Sequence, residues 1–270
     1  MIDRRSAIRS VAAVSLLAAA ACGTLRDGSR WSDHATLLPG TDRLLHAARD
    51  AALDPWTWAP LAGAGVIAAG GWDRDLSEWA RRETPLFGSG KDANDAGKTL
   101  GSVTRDVWIA SALATPSGDT PLAWAGDKLR GLSIEWGATL AASAATSELK
   151  GATNRDRPNG ANQRSFPSSA AADAFAQNAL FRENLDAIDA PWPIDAAVRI
   201  GMGATAAGMA WSRVEAGAHY PTDVLVGAAV GNFVARFVHD AFLGLPPSIR
   251  LEAVADPAAR DFAIGFSFEF

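Results

Sequence analysis

Alanine and leucine dominate long segments of this chain, and runs of β-branched residues are scarce. That pattern constrains the fold more than any other feature. Alanine loses no side-chain entropy in a helix and leucine loses little, whereas β-branched residues lose rotamer freedom there. Helices are therefore expected over 76–82, 99–114, 122–150 (as one or two), 167–185, 195–213 and 221–242. Loops are expected at 84–98, rich in Gly, Asn and Asp, at 115–120 and at 151–165, with a break at Pro191 and Pro193. The stretch Pro55–Trp72 carries no charge but is interrupted by Pro60 and several glycines, which points to a buried helix rather than a membrane span. The tail differs in kind: Phe262, Ile264, Phe266, Phe268 and Phe270 alternate with smaller or polar residues, the period of a strand. Residues 249–254 are its expected hairpin partner, turning at Asp256–Pro257, with the phenylalanine face docked on the helices because a lone hairpin is barely stable. The fold class expected is all-α, a helical bundle with a C-terminal β-hairpin. Ten tryptophans beside so much alanine fit a bundle whose helices meet through small residues.

The N-terminus reads as a processing signal. Arg4, Arg5 and Arg9 precede an apolar run from Val11 to Ala21, too short to span a bilayer well, and Ala19–Ala21 form a small-residue cleavage site. The next residue, Cys22, is the only cysteine, so the chain has no internal disulfide. Two readings stand: ordinary cleavage with Cys22 an incidental thiol, or a lipobox-like AAAC in which Cys22 becomes the lipid-bearing N-terminus. Both predict export, and the second predicts a membrane-bound protein on the periplasmic face, with Gly23 pointing to the outer membrane. The expected division is a signal peptide at 1–21, an N-terminal tether at 22–54, the helical domain at 55–245 and the hairpin at 246–270. A net charge of −5 excludes a protein that coats nucleic acid.

Three clusters carry chemistry: Lys150 with Arg157-Pro158; Ser165-Phe166-Pro167-Ser168-Ser169; and Ser212-Arg213, His219 and Asp223. Pro167 near the first turn of a helix leaves the amides of Ser168, Ser169 and Ala170 unpaired and pointing outward, a ready anion site. Ser168 adds a hydroxyl, and Lys150, Arg157 and Arg213 add three cations. Pro221 opens the last helix, placing His219 just before it and Asp223 in its first turn, so that the carboxylate can hold one imidazole nitrogen and aim the other.

Taken in order, K-x6-R-P, S-F-P-S and S-R-x5-H-x3-D resemble the three signature motifs of the type 2 phosphatidic acid phosphatase and vanadium haloperoxidase superfamily, over about residues 55–245. The resemblance implies a bundle with its site between helices, no metal or other cofactor, phosphate or vanadate as possible occupants, and a phosphate ester or phospholipid as substrate. It implies that Lys150, Arg157, Ser168, Arg213 and the amide of Ser169 bind phosphate oxygens, and that His219 forms a phosphohistidine oriented by Asp223. The second motif of that superfamily ends in Gly-His, the histidine protonating the leaving alcohol; this chain has Ser169-Ala170. Ala170 donates no proton, and Ser169 is expected to tolerate a glycine conformation poorly. The function expected is phosphate monoester hydrolysis slowed by the missing acid, or a catalytically inactive module that binds phosphate or a phospholipid head group. Haloperoxidase chemistry fits worst, because those members also use the missing histidine. Asp173, three residues after Ala170, is expected to be a solvated surface acid, and His239 to lie too far away.

Overall fold

The computed structural model describes residues 23–188 and 190–244, and the backbone of 250–256 and 261–267. Among the described residues eight α-helices follow one another: α1 Thr41–Leu53, α2 Pro55–Ala69, α3 Asp73–Glu83, α4 Gly90–Ala114, α5 Pro121–Thr153, α6 Ser169–Asp186, α7 Trp192–Glu215 and α8 Pro221–Val238. A π-helical turn, His239–Leu243, continues α8. Local rules set the boundaries. Pro55, Pro121 and Pro221 each stand in a first turn, where the missing amide costs nothing, and the side chains of Asp54 and Thr120 accept the amides of Trp56 and Ala123.

Helix α6 is the centre. Twelve of its eighteen residues are buried, five of them alanines, and α4, α5, α7 and α8 pack around it. Alanine matters here because it lets the neighbouring backbones approach. The closest neighbour is α8: a Cβ on Gly227 would stand 2.4 Å from the Ser168 carbonyl oxygen, and one on Gly231 only 2.0 Å from that of Ala172. These two glycines, one turn apart on the same face, set α8 directly against the start of α6. The result is that α6 and α8 begin, and α5 and α7 end, at one end of the bundle.

The structure moves several expected boundaries. Helix α4 begins at Gly90, well inside the expected loop 84–98. Ser89 caps it by accepting the Asp92 amide at 3.1 Å, and Gly97 serves a contact, since a Cβ there would meet Ser212 Oγ at 2.3 Å. Helix α2 exists, but only Thr57 and Ala64 in it are buried, so the charge-free segment forms a surface helix. Residues 23–53, expected as a tether, are folded onto the bundle: Trp31 is fully buried against Gly131 of α5, and α1 packs on α8. Strands β1 (Arg250–Asp256) and β2 (Asp261–Ser267) pair antiparallel, Arg250 with Ser267 through Asp256 with Asp261; the seat of their phenylalanine face lies outside the described residues. Among the described helices, the one long and apolar enough to cross a membrane by length and composition is Pro221–Leu243, and half of it is buried within the bundle.

Because α8 lies on α6 without room for a side chain, Gly231→Val is expected to cost about 1–3 kcal/mol through overpacking. Gly137→Ala, on an open face of α5, is expected to add up to about 1 kcal/mol. Urea unfolding of the two variants checks both signs.

Candidate active site

At the shared end of the bundle, backbone bonds pin three segments together. The Ser168 amide donates to the Asp223 carbonyl (2.9 Å), the Ser165 amide to Arg155 (2.9 Å), the Asn159 amide to Gly217 (3.0 Å) and the His219 amide to Arg213 (3.2 Å). Gly217 takes a φ of 68°, a left-handed conformation that glycine adopts without strain, in the turn that delivers His219.

Helix α6 begins two residues later than expected. Pro167 lies outside it, and Ser168 is the capping residue, its hydroxyl oxygen accepting the Ala171 amide at 3.3 Å. The Ser168 amide is spent on Asp223, so the outward, unpaired amides are those of Ser169 and Ala170; neither finds an acceptor among the described residues. Ser169 is not left-handed, so its replacement of glycine carries no backbone strain. Its hydroxyl lies 3.1 Å from that of Thr146.

His219 is almost wholly buried. Its Nδ1 donates to the Ser165 carbonyl oxygen at 2.6 Å, and the Asp223 carboxylate stands 3.8 Å from the same nitrogen. A carbonyl only accepts, so this geometry places the proton on Nδ1 and leaves the Nε2 lone pair free. The direct His–Asp hydrogen bond expected from the spacing is therefore replaced by a relay. Asp223 accepts the Ser165 hydroxyl (2.5 Å) and the Tyr220 amide (2.8 Å), and so fixes the segments on either side of the imidazole. Burial pushes the imidazole pKa below its ordinary value; Asp223 and the Ser165 carbonyl oppose this, and Arg157 adds to it. Burial pushes the Asp223 carboxyl up, but His219, Ser165, Tyr220 and Arg155 together hold it below the usual range.

Sequence reasoning missed Arg155 and Asp73. Arg155 reaches Asp223 Oδ1 (2.7 Å) with one nitrogen and Asp73 (2.5 Å) with the other, and its guanidinium lies 4.2 Å from the centre of the Tyr220 ring. Asp73 in turn accepts the amide and hydroxyl of Thr222 (2.9 and 2.7 Å). Arg155 falls within the first motif, but nothing in its spacing separates it from a solvated cation, and its acidic partners are 82 and 68 residues away.

The three expected cations converge. Lys150 is buried and donates a short hydrogen bond to the Pro167 carbonyl. Its pKa falls to about 8, chiefly through burial and then through Arg157. Arg213 donates to Asn94 Oδ1 at 2.9 Å, and burial with Arg157 beside it pushes its pKa down as well. The Nε atoms of both Arg157 and Arg213 are buried without a hydrogen-bond partner. Arg182 and Arg236, away from this end, also leave Nε without a hydrogen-bond partner among the described residues; what is particular here is that Arg157 repels both Lys150 and Arg213, so an anion beside it could accept from both orphaned nitrogens and offset that repulsion.

Ala170 is half-buried against the core cluster of Ala171, Phe175 and Val224. Asp173, one turn on, is not the solvated acid expected: it is half-buried, accepts the Ser143 hydroxyl at 2.7 Å, and its carboxyl is raised by burial, with Ser143 and Lys150 opposing. His239 lies at the opposite end of α8 beside Asp240 and Glu183, and His34 and His46 are exposed on the N-terminal segment. A separate shallow cavity of about 180 Å³, lined by Arg74, Ser77, Glu78, Arg81, Pro158 and Tyr220, adjoins the cradle and includes none of its ligating side chains.

Residues 134–244 match the family model of the PAP2 superfamily, a span that contains all three motifs and every cationic group of the cradle. The match supports the PAP2 superfamily and a phosphatase-like function for this part of the chain. No curated protein and no solved structure matches the chain.

Two outcomes follow from this geometry. Arg155→Met strips the cation from a fully buried carboxylate and is expected to cost about 3 kcal/mol, with less than additive loss on combination with Asp73→Asn; urea unfolding of the double-mutant cycle measures it. Lys150 is charged below a pKa of about 8 and neutral above it, so affinity for an anion declines as pH rises through that value. Calorimetry with sulfate, whose own charge is constant there, should show a fall of at most about tenfold per pH unit. Lys150→Arg should flatten it.

Proposed function

We propose that this protein hydrolyses phosphate monoesters through a phosphohistidine at His219, with activity limited by the absent acid at position 170. The single observation that carries the reading is the pair of unsatisfied guanidinium nitrogens beside a neutral, aimed imidazole. In this reading the Lys150, Arg157 and Arg213 side chains, the Ser168 hydroxyl and the Ser169 amide hold the phosphoryl oxygens, and the free Ala170 amide joins them. Nε2 of His219 attacks phosphorus, the bond to the leaving oxygen breaks, and the alkoxide takes its electrons and a proton. Water then attacks the phosphohistidine, releasing phosphate and restoring the imidazole. Asp223 orients His219 by holding Ser165 and Tyr220. Fixed donors around the developing charge supply most of the stabilisation.

The proton for the leaving group comes from Asp173 or from water. Asp173 is supported by its burial, its raised pKa and its place one turn beyond Ala170 on α6. A positioned acid contributes about 10²- to 10⁴-fold, roughly 3–5 kcal/mol of barrier, and basic alkoxides need it most. Ala170 also supports a second reading, a non-catalytic module that keeps the cradle to hold phosphate or a head group. We further infer that the protein is exported and carries a lipid on Cys22, which the apolar run and the single cysteine support; mass spectrometry of the mature N-terminus tests this by the added acyl mass.

Turnover of p-nitrophenyl phosphate and of glycerol phosphate decides among these. His219→Ala should abolish both activities. Ala170→His should raise glycerol phosphate turnover by about 10²-fold or more and p-nitrophenyl phosphate turnover far less. Asp173→Asn should slow glycerol phosphate turnover selectively and leave p-nitrophenyl phosphate turnover little changed. No gain from Ala170→His sinks the missing-acid account, and tight vanadate binding without turnover of either ester favours the binding module.

A further inference from the structure

The phosphate cradle occupies one end of the bundle, and a different kind of surface occupies the other. Among the described residues, the four most exposed large apolar side chains are Leu38 (91%), Leu122 (85%), Leu37 (82%) and Trp192 (79%). All four stand at the end opposite the cradle. Leu122 is in the first turn of α5, whose last turn carries Lys150, and Trp192 opens α7, whose last turn carries Arg213. Leu37 and Leu38 follow Thr36, whose amide donates to the Phe242 carbonyl beyond the end of α8 (2.8 Å). Arg30 and Asp33 pair there at 2.6 Å. The N-terminal segment enters the fold at this end too: the Gly23 carbonyl accepts the Gly118 amide (2.8 Å), in the connection just before α5. Immediately before it come Cys22 and the apolar run Val11–Ala21. With Gly23 bonded to the bundle and Trp31 fully buried against α5, no slack tether separates residue 22 from the folded body.

We propose that this end of the bundle rests on a lipid bilayer, so that the phosphate cradle faces away from that membrane and takes water-soluble phosphate esters rather than phospholipids of the same bilayer. The bilayer is the occupant because the exposed leucines and tryptophan project from separate helix tips and loops at the end where Gly23, the residue after Cys22, joins the bundle. A helix-shaped partner would need one continuous groove instead. Tryptophan and leucine at the rim of a docked surface suit the lipid interface. At a rise of roughly 1.5 Å per residue, α5 carries Leu122 about 40 Å from Lys150. A diacyl phospholipid would have to leave the bilayer almost entirely, exposing its chains to water, to place its phosphate in the cradle. The substrate part of this inference rests on the phosphatase reading above; the docking part does not.

The experiment uses the full chain with phosphatidylcholine–phosphatidylglycerol vesicles. The variant Leu37→Glu/Leu38→Glu/Leu122→Glu/Trp192→Glu should lose vesicle binding by at least about tenfold while its p-nitrophenyl phosphate turnover stays within about twofold of wild type. Leu129→Glu/Ile200→Glu, exposed on the side wall, should bind vesicles as wild type does. Equal loss in both variants, no loss in the first, or a wild-type dimer that only the first variant dissociates overturns the docking. For the substrate, dissolved dihexanoyl phosphatidic acid should be cleaved at least about 100-fold faster, in kcat/KM, than long-chain phosphatidic acid in the vesicles. Comparable rates overturn the orientation. If no phosphate ester is cleaved at all, the phosphatase reading fails, and the vesicle result still decides the docking.

Discussion

The fully buried carboxylate of Asp223 is the constraint on which the site depends. Its two oxygens hold Ser165, the Tyr220 amide and Arg155, and its backbone carbonyl holds the Ser168 amide. Those contacts lie on three pieces of the site: the loop after α5, which supplies both Ser165 and Arg155, the turn before α8 and the cap of α6. An ionised carboxylate without water is tolerated only when it is paired and fully hydrogen-bonded, so removing any one of these partners taxes the others. His219 benefits at second hand, since the carbonyl that accepts from Nδ1 belongs to Ser165, the residue Asp223 grips by its hydroxyl. Asp223 thus orients the imidazole by holding that carbonyl's own residue in place.

What the sequence made legible is what local chemistry determines. Pro221 and the acid two residues on announced the start of α8, and Pro167 announced that of α6 to within two residues, because caps and first-turn prolines act within a few residues. The cradle's cations were legible for the same reason: three motifs at fixed spacing name Lys150, Arg157 and Arg213 without knowledge of their neighbours. The illegible parts are long-range. Arg155 looks like any loop cation until Asp73 is brought to it from the start of α3. Gly97 read as a loop glycine, yet it sits inside α4 because α7 approaches too closely for a side chain. Composition showed that Pro55–Trp72 avoids charge, but not that the helix it forms lies on the outside. Residues 23–53 are polar enough to pass for a tether, and only the burial of Trp31 under α5 shows that they belong to the body.

The electrostatics of the cradle explain why losing the histidine at position 170 leaves the rest of the site coherent. Arg157 repels both Lys150 and Arg213 in a poorly hydrated space, and burial first, then this repulsion, depresses the pKa of Lys150. On the phosphatase reading a phosphoryl dianion would relieve that repulsion and meet the orphaned nitrogens, so binding needs no side chain from position 170. Proton delivery is a separate demand that arises only when the leaving oxygen becomes basic. Asp173 lies on the same helix, Lys150 lowers its pKa from nearby, and burial raises it. A carboxyl in that position is drawn toward the neutral form by its surroundings and toward the charged form by the cation next to it. On the phosphatase reading, a phosphoryl group that neutralised the cradle would weaken the second influence, and the carboxyl would move toward the state that can give up a proton. On that reading, occupancy of the anion site and the protonation of its neighbour would be coupled through Lys150.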